Sequence, residues 1–162
     1  MATFEEIRAL SKLPEKTVPL CLRGDLQAEY EELERQLKAA KARRGGTLSG
    51  SGDDVKALEE QVKALKEQMA DSTVVFTLRG VTRSKWSNLK AEHAPRDEDQ
   101  VKGIDYHGEE FPVAAVQACL IDPALTIKEV EQLVDEVFTQ GQWDALFWQT
   151  WILNQGTVEV PT

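Results

Sequence analysis

The sequence predicts an α+β chain that is mainly α: a small antiparallel β-hairpin carrying an inserted antiparallel coiled-coil arm, followed by a C-terminal helical bundle. Three observations predict it. One short pattern occurs twice, as Thr17-Val-Pro-Leu-Cys-Leu-Arg-Gly24 and Thr73-Val-Val-Phe-Thr-Leu-Arg-Gly80. Two heptad-patterned segments lie between the copies, and the last third of the chain carries apolar stripes at helical spacing. Together they predict a compact core made of residues 1–24 and 72–162, with residues 25–71 forming the arm.

Residues 3–13 read as a short helix, with Thr3 and Glu6 in capping-box spacing, Phe4, Ile7 and Leu10 on one stripe, and Pro14 as the stop. In the two repeated patterns, Val18, Leu20 and Leu22, then Val74, Phe76 and Leu78, alternate as half-buried strands do. Leu26, Tyr30, Leu33, Leu37 and Ala40 form one a/d seam; Val55, Leu58, Val62, Leu65 and Met69 form the other. The Gly/Ser-rich tip from Gly45 to Gly52 is a flexible reversal, so the helices should return antiparallel and bring the two strands together. Asp25 is expected to cap the outgoing helix and Asp53 or Asp54 the returning one. Glu31 with Arg35, and Glu34 with Lys38, have the favoured i,i+4 orientation for surface ion pairs.

Ser84 to His93 should form a helix with Trp86 and Leu89 inward, stopped by Pro95. Residues 96–110 are charged, contain two glycines and lack periodicity, which predicts a long acidic loop suited to a basic partner. Pro112 suits a first helical turn, and Val113, Val116 and Leu120 extend that helix toward Asp122-Pro123. Thr126 and Glu129 have capping-box spacing; Ile127, Val130, Leu133, Val134, Val137 and Phe138 predict a wide buried face, closed by Gly141. The last helix carries Trp143, Leu146, Phe147, Trp148, Trp151 and Ile152 before Asn154-Gln-Gly156 ends it. Trp148 and Ile152 point away from the face of Trp143 and Phe147. Either this helix is central to the core or it is half an interface, and Trp143, Phe147, Trp148, Trp151 and Ile152 are the candidate partner-binding residues.

The chain has 162 residues and a net charge of −9, with 29% charged and 41% apolar side chains, a globular composition. No window approaches the roughly 20 apolar residues of a bilayer span. The acidic start Met1-Ala-Thr-Phe-Glu-Glu does not resemble a secretory signal, so cytoplasmic folding is expected. Cys21 and Cys119 have no ligand spacing and read as small buried side chains. His93 and His107 have no ligand partners at recurrent spacing and read as surface residues. The acidic balance disfavours nucleic acid, although Lys38, Lys41, Arg43 and Arg44 gather at the tip of the arm. A helix-turn-helix across Gly141 is disfavoured too, because its second helix would carry neither Lys nor Arg. No phosphate-binding glycine loop and no nucleophile elbow occurs. The expectation is a protein that is not an enzyme and has no catalytic residue, cofactor or metal.

The strand ending Phe76-Thr-Leu-Arg79, the Trp86, Leu89 and Glu92-His93-Ala-Pro95 stretch, Phe111-Pro112 with Ala118-Cys119-Leu-Ile-Asp-Pro123, and Gly141-Gln-Trp-Asp-Ala-Leu-Phe147 with Asn154 carry a resemblance. Through them the chain resembles the tail assembly chaperones of long-tailed (siphovirus) phages of actinobacteria, in which an N-terminal strand also leads into a charged coiled coil. The resemblance implies a role in virion morphogenesis, in the cytoplasm of the infected host bacterium, by protein–protein interaction. The partner implied is the tape measure protein, kept soluble during tail tube polymerisation. It further implies contact with the tail tube protein through a frameshifted longer form, while the outward Trp148 and Ile152 predict a homo-oligomer. The alternative is a minor structural or connector protein of the phage particle that uses the coiled-coil arm for assembly contacts.

Overall fold

In the computed structural model the described residues are 1–44, 52–156 and 160–162. The architecture is α+β and mainly α, with a three-stranded antiparallel sheet. The chain divides into two compact units, Met1–Val18 with Val75–Thr162, and Pro19–Val74.

In the first unit, α1 (Phe4–Leu10) opens with the expected capping box: the Thr3 amide donates to Glu6 Oε2 at 2.8 Å and the Glu6 amide to Thr3 Oγ1 at 3.3 Å. The helix is shorter than the predicted 3–13, ending at Leu10 with Ser11 as its C-cap, and none of its residues is buried. The sheet has the order β1 (Glu15–Cys21), β2 (Thr73–Arg79), β3 (Leu120–Asp122). The Gly80 amide donates to Pro14 O at 2.8 Å, and Arg79 Nε to Glu15 Oε1 at 2.7 Å. Phe76 and Leu78 are buried and Val75 is exposed, the alternation expected of a sheet with one covered face.

The third strand corrects the sequence expectation. The helix containing Val113 and Val116, α6 (Glu110–Cys119), does not run on to Asp122; it stops at Cys119, and Leu120–Asp122 pairs antiparallel with β2 through Thr77↔Asp122 and Leu78↔Leu120. A three-residue strand is too short to show a period of two, so its apolar residues simply continued the helical stripe. Its partner is decided by the free edge of β2, whose amides and carbonyls need partners once buried.

Four further helices complete this unit: α4 (Arg83–Glu92), α5 (Asp97–Val101), α7 (Ile127–Glu136) and α8 (Gln140–Gln155). Thr82 caps α4 and Thr126 caps α7, each accepting from the amide three residues on. Gly141 does not close α7. It lies in the first turn of α8, whose start is set by Thr139: its hydroxyl accepts from the Gln142 amide at 3.2 Å, while its own amide donates to Gln142 Oε1 at 3.0 Å. Nor is the wide apolar face of α7 buried: Val130 is, but Ile127 and Val137 are 43% and 48% exposed.

The core gathers Trp86, Phe111 and Ala115, with Val81, Leu89, Tyr106, Phe147 and Trp151 packed on them. Trp86 and Phe111 meet edge to face at 5.2 Å, and Tyr106 lies 4.7 Å from Phe111, spacings at which ring quadrupoles add to apolar burial. Ala114 and Ala115 on α6 are buried small residues that allow close helix approach. Asn154 ties the end of α8 back to the sheet turn: its Oδ1 accepts from the Val81 amide at 2.8 Å, and its Nδ2 donates to Thr150 O at 2.8 Å and to Cys119 Sγ at 3.4 Å. Burial pushes the Cys119 thiol pKa up, against the smaller opposing effect of that amide. Cys21, expected to be buried, is half-buried.

The second unit is the hairpin of α2 (Gly24–Arg44) and α3 (Gly52–Asp71). Leu26, Tyr30, Leu33, Leu37 and Ala40 on α2, and Val55, Leu58, Val62, Leu65 and Met69 on α3, are its covered positions, matching both a/d seams. Lys66 Nζ sits over the Tyr30 ring at 5.8 Å and Lys41 pairs with Glu59 at 3.5 Å, so the position on α3 falls as that on α2 rises, and the helices are antiparallel. At its foot the Leu22 amide donates to Ser72 O at 3.4 Å. The reversal expected from Gly45 to Ser51 lies outside the described residues; Gly52 opens α3, with Asp53 and Asp54 in its first turn.

The surface pairs of this hairpin differ from those expected. Arg35 binds Glu32 through Nε at 2.9 Å and Nη2 at 2.6 Å, while Glu31 accepts from Gln27 and Glu34 from the Tyr30 hydroxyl. A bidentate guanidinium contact outcompetes a single i,i+4 pairing, and it draws the Glu32 carboxyl pKa down to about 2. Asp25 is likewise not a cap. It sits inside the first turn of α2 and binds Arg23, which lowers its pKa to about 2.

Candidate functional site

The stretch expected to be an acidic loop, residues 96–110, is a hydrogen-bonded polar segment of the first unit. It contains α5 (Asp97–Val101), with Asp99 only 2% exposed. Asp99 Oδ2 accepts from the Arg96 amide and from Arg96 Nε, both at 2.9 Å, and Oδ1 from Arg96 Nη2 at 3.1 Å. The Gly108 backbone amide also favours the ionised Asp99, and a Cβ on Gly108 would stand 2.6 Å from Asp99 Oδ1, so only glycine fits there. The Arg96 guanidinium, with these amides, holds the Asp99 carboxyl well below the usual carboxylate range.

The two histidines flank this knot in sequence, and they are half-buried and hydrogen-bonded and not the surface residues expected. His93 Nδ1 is 2.8 Å from Leu89 O, and the His107 amide donates to His93 O at 2.7 Å. His107 Nδ1 accepts from the amides of Glu109 and Glu110, at 3.3 and 3.1 Å, and so covers donors at the start of α6. The sequence signal was present in Arg96 and Asp99, three apart at a helix start, but the period-based reading gave weight only to apolar residues.

The five candidate partner-binding residues separate into three groups. Phe147 and Trp151 belong to the core: Trp151 stands 5.9 Å from Trp86 and 6.1 Å from Phe147, and Lys90 Nζ lies 5.6 Å from its ring. Both are partly buried and pack against the Trp86 and Phe111 cluster. Trp143 is half-buried and lines a groove between α6, α7 and α8. Trp148 and Ile152 remain on the surface at 59% and 37% exposure. They lie about 140° and 180° round the helix from Trp143, one turn apart on the outer face. The choice between core and interface therefore resolves within one helix: α8 is core on one side and exposed apolar surface on the other.

That outer face is held rigidly. Trp86 Nε1 donates to Gln155 Oε1 at 2.8 Å, and the Asn154 bonds fix the last turn, so Trp148 and Ile152 stand on a helix tied to the core at its C-terminal end. A rigid apolar pair on a helix can bury area against another protein with little ordering cost. Among the described residues, no group of three or more His, Cys, Asp or Glu could hold a metal ion, and no helix is long and apolar enough to cross a membrane. No protein-family model matches the chain, and comparison with curated proteins and with solved structures finds no match.

Proposed function

We propose that this chain is a phage tail assembly chaperone: it binds the tape measure protein and keeps that long helical molecule soluble in the host cytoplasm while tail tube subunits polymerise around it. The observation that supports this reading is the exposed pair Trp148 and Ile152 on the braced α8, an apolar grip on a chain of net charge −9. A chaperone of a helix needs an apolar contact, a charged exterior that keeps loaded complexes apart, and no covalent chemistry. The same pair would serve self-association into a homo-oligomer. A frameshifted longer form would recruit the tail tube protein.

Co-expression tests the reading. The cognate tape measure protein should gain soluble yield with the parent chain and lose that gain with Trp148→Asp, at an unchanged melting temperature. Trp151→Asp is no substitute, because it would place a carboxylate against Trp86 in the core and unfold the unit. If the client stays insoluble with excess parent chain, or is equally soluble without it, the proposal fails. Mass spectrometry of purified particles then decides for the alternative, a minor structural component, if the chain is present in stoichiometric amount.

A further inference from the structure

On the side of α8 away from Trp148, α6, α7 and α8 enclose a groove of about 680 Å³. Its apolar lining comes from Val113 and Ala114 of α6, Ile127 and Val134 of α7, and Trp143 of α8. Carboxylates border it: Glu109 and Glu110 on one side, Glu131 and Asp135 on the other, with no Lys or Arg among the lining residues. Glu109 is 3.5 Å from the Arg96 guanidinium and Glu110 is 3.9 Å from His107. Glu131 and Asp135 form no ion pair with any described residue. They stand four apart on one face of α7, an arrangement in which like charges repel and destabilise a helix. The α7 lining runs from Ile127 to Asp135, about 12 Å along the helix, a strip two turns long.

From this we infer that the groove is a docking site for a basic amphipathic helix of a partner protein. An apolar strip two turns long matches the i, i+3, i+4, i+7 anchors of a helix laid lengthwise, and a compact small molecule would not use its full length. Lysines or arginines flanking those anchors would meet Glu131 and Asp135 and relieve their mutual repulsion. A second copy of this chain is the poorer occupant. Its exposed apolar helix, α1, carries Glu5 and Glu6 in its first turn and one basic residue, Arg8. The groove's chemistry is the same whichever protein supplies the helix, so the inference stands apart from the identity of the client.

The probe is a lactam-stapled, fluorescein-labelled peptide with leucine at the i, i+3, i+4 and i+7 positions and lysine elsewhere, titrated against the full chain. Its anisotropy should rise on binding, and the binding should weaken with added salt. The double variant Glu131→Lys/Asp135→Lys should weaken it by about tenfold or more while gaining affinity for the same peptide with glutamate in place of lysine. Trp148→Asp should leave the affinity unchanged. The inference is overturned if the lysine peptide does not bind, if the double variant binds it as the parent does, or if Trp148→Asp abolishes binding. It is equally overturned if the parent is a dimer in sedimentation equilibrium that the double variant breaks, because the groove then belongs to a second copy.

Discussion

In the hairpin the covered side chains form one seam between α2 and α3, whereas Phe111 in the first unit meets Trp86 from α4, Tyr106 from the segment before α6, and Phe147 from α8. The hairpin seam is built from medium side chains repeated along two helices, and its ion pairs are exposed on both partners. The bundle concentrates aromatic area in one place and buries a charged carboxylate beside it in sequence. Equal numbers of apolar residues therefore mean different things in the two regions. A seam loses stability in small, local steps, while a shared aromatic centre fails as a whole.

The largest effect should follow from the centre of that cluster. Phe111→Ala removes a fully buried ring that touches three others and should cost about 3–5 kcal/mol. All four tryptophans lie between Trp86 and Trp151, so their fluorescence reports the first unit alone. The fluorescence midpoint should fall steeply; a shift of a degree or two would mean that the cluster is not the centre of this unit.

Leu65→Ala, at a buried position of the seam, should cost about 2–3 kcal/mol. Its effect should appear in helical circular dichroism and not in tryptophan fluorescence. Replacing residues 27–68 by a short turn should likewise preserve the fluorescence transition. Coincident shifts of both probes in Leu65→Ala would break the distinction between the regions and make the chain one cooperative unit.

Acid sharpens the contrast. The Asp99 carboxyl pKa is depressed in the folded state, so below the ordinary aspartate value of about 3.9 the unfolded chain binds more protons than the folded one. The stabilisation from Asp99 is complete above that pH and is lost as pH falls toward the folded-state value. Asp99→Asn should lower the melting temperature at neutral pH and flatten its fall below pH 4. Asp25→Asn in the hairpin, although that carboxyl is also depressed, should change little, because its partner Arg23 is exposed to solvent and salt. Similar slopes for both variants would show that burial does not separate them.

The smallest change concerns Gln149, whose buried Oε1 has no hydrogen-bond partner among the described residues. Gln149→Met keeps the volume and removes the unsatisfied acceptor, so stability should rise by about 0.5–1 kcal/mol. A lower midpoint by calorimetry would indicate that the amide is satisfied after all.

The sequence alone was enough for the seams, the strand alternation at Phe76 and Leu78, and the Thr3 cap, because each depends on residues a few positions apart. The inward Trp86 and the outward Trp148 were legible for the same reason: a helix fixes the angle between its side chains whatever surrounds it. Tertiary structure decided which apolar faces are covered. The stripe of α7 satisfies every helical criterion, yet burial depends on a neighbour that periodicity cannot name, and only Val130 has one on all sides. The same holds for β3, which exists because β2 had an edge to fill, and for Asp99, whose order comes from Arg96 and Gly108 closing round it. Trp151 and Trp148 are three residues apart in sequence, and only the packing of α4 and α6 against one side of α8 makes the first part of the core and leaves the second on the surface. Local geometry is written in local sequence, whereas burial is a property of pairs of surfaces.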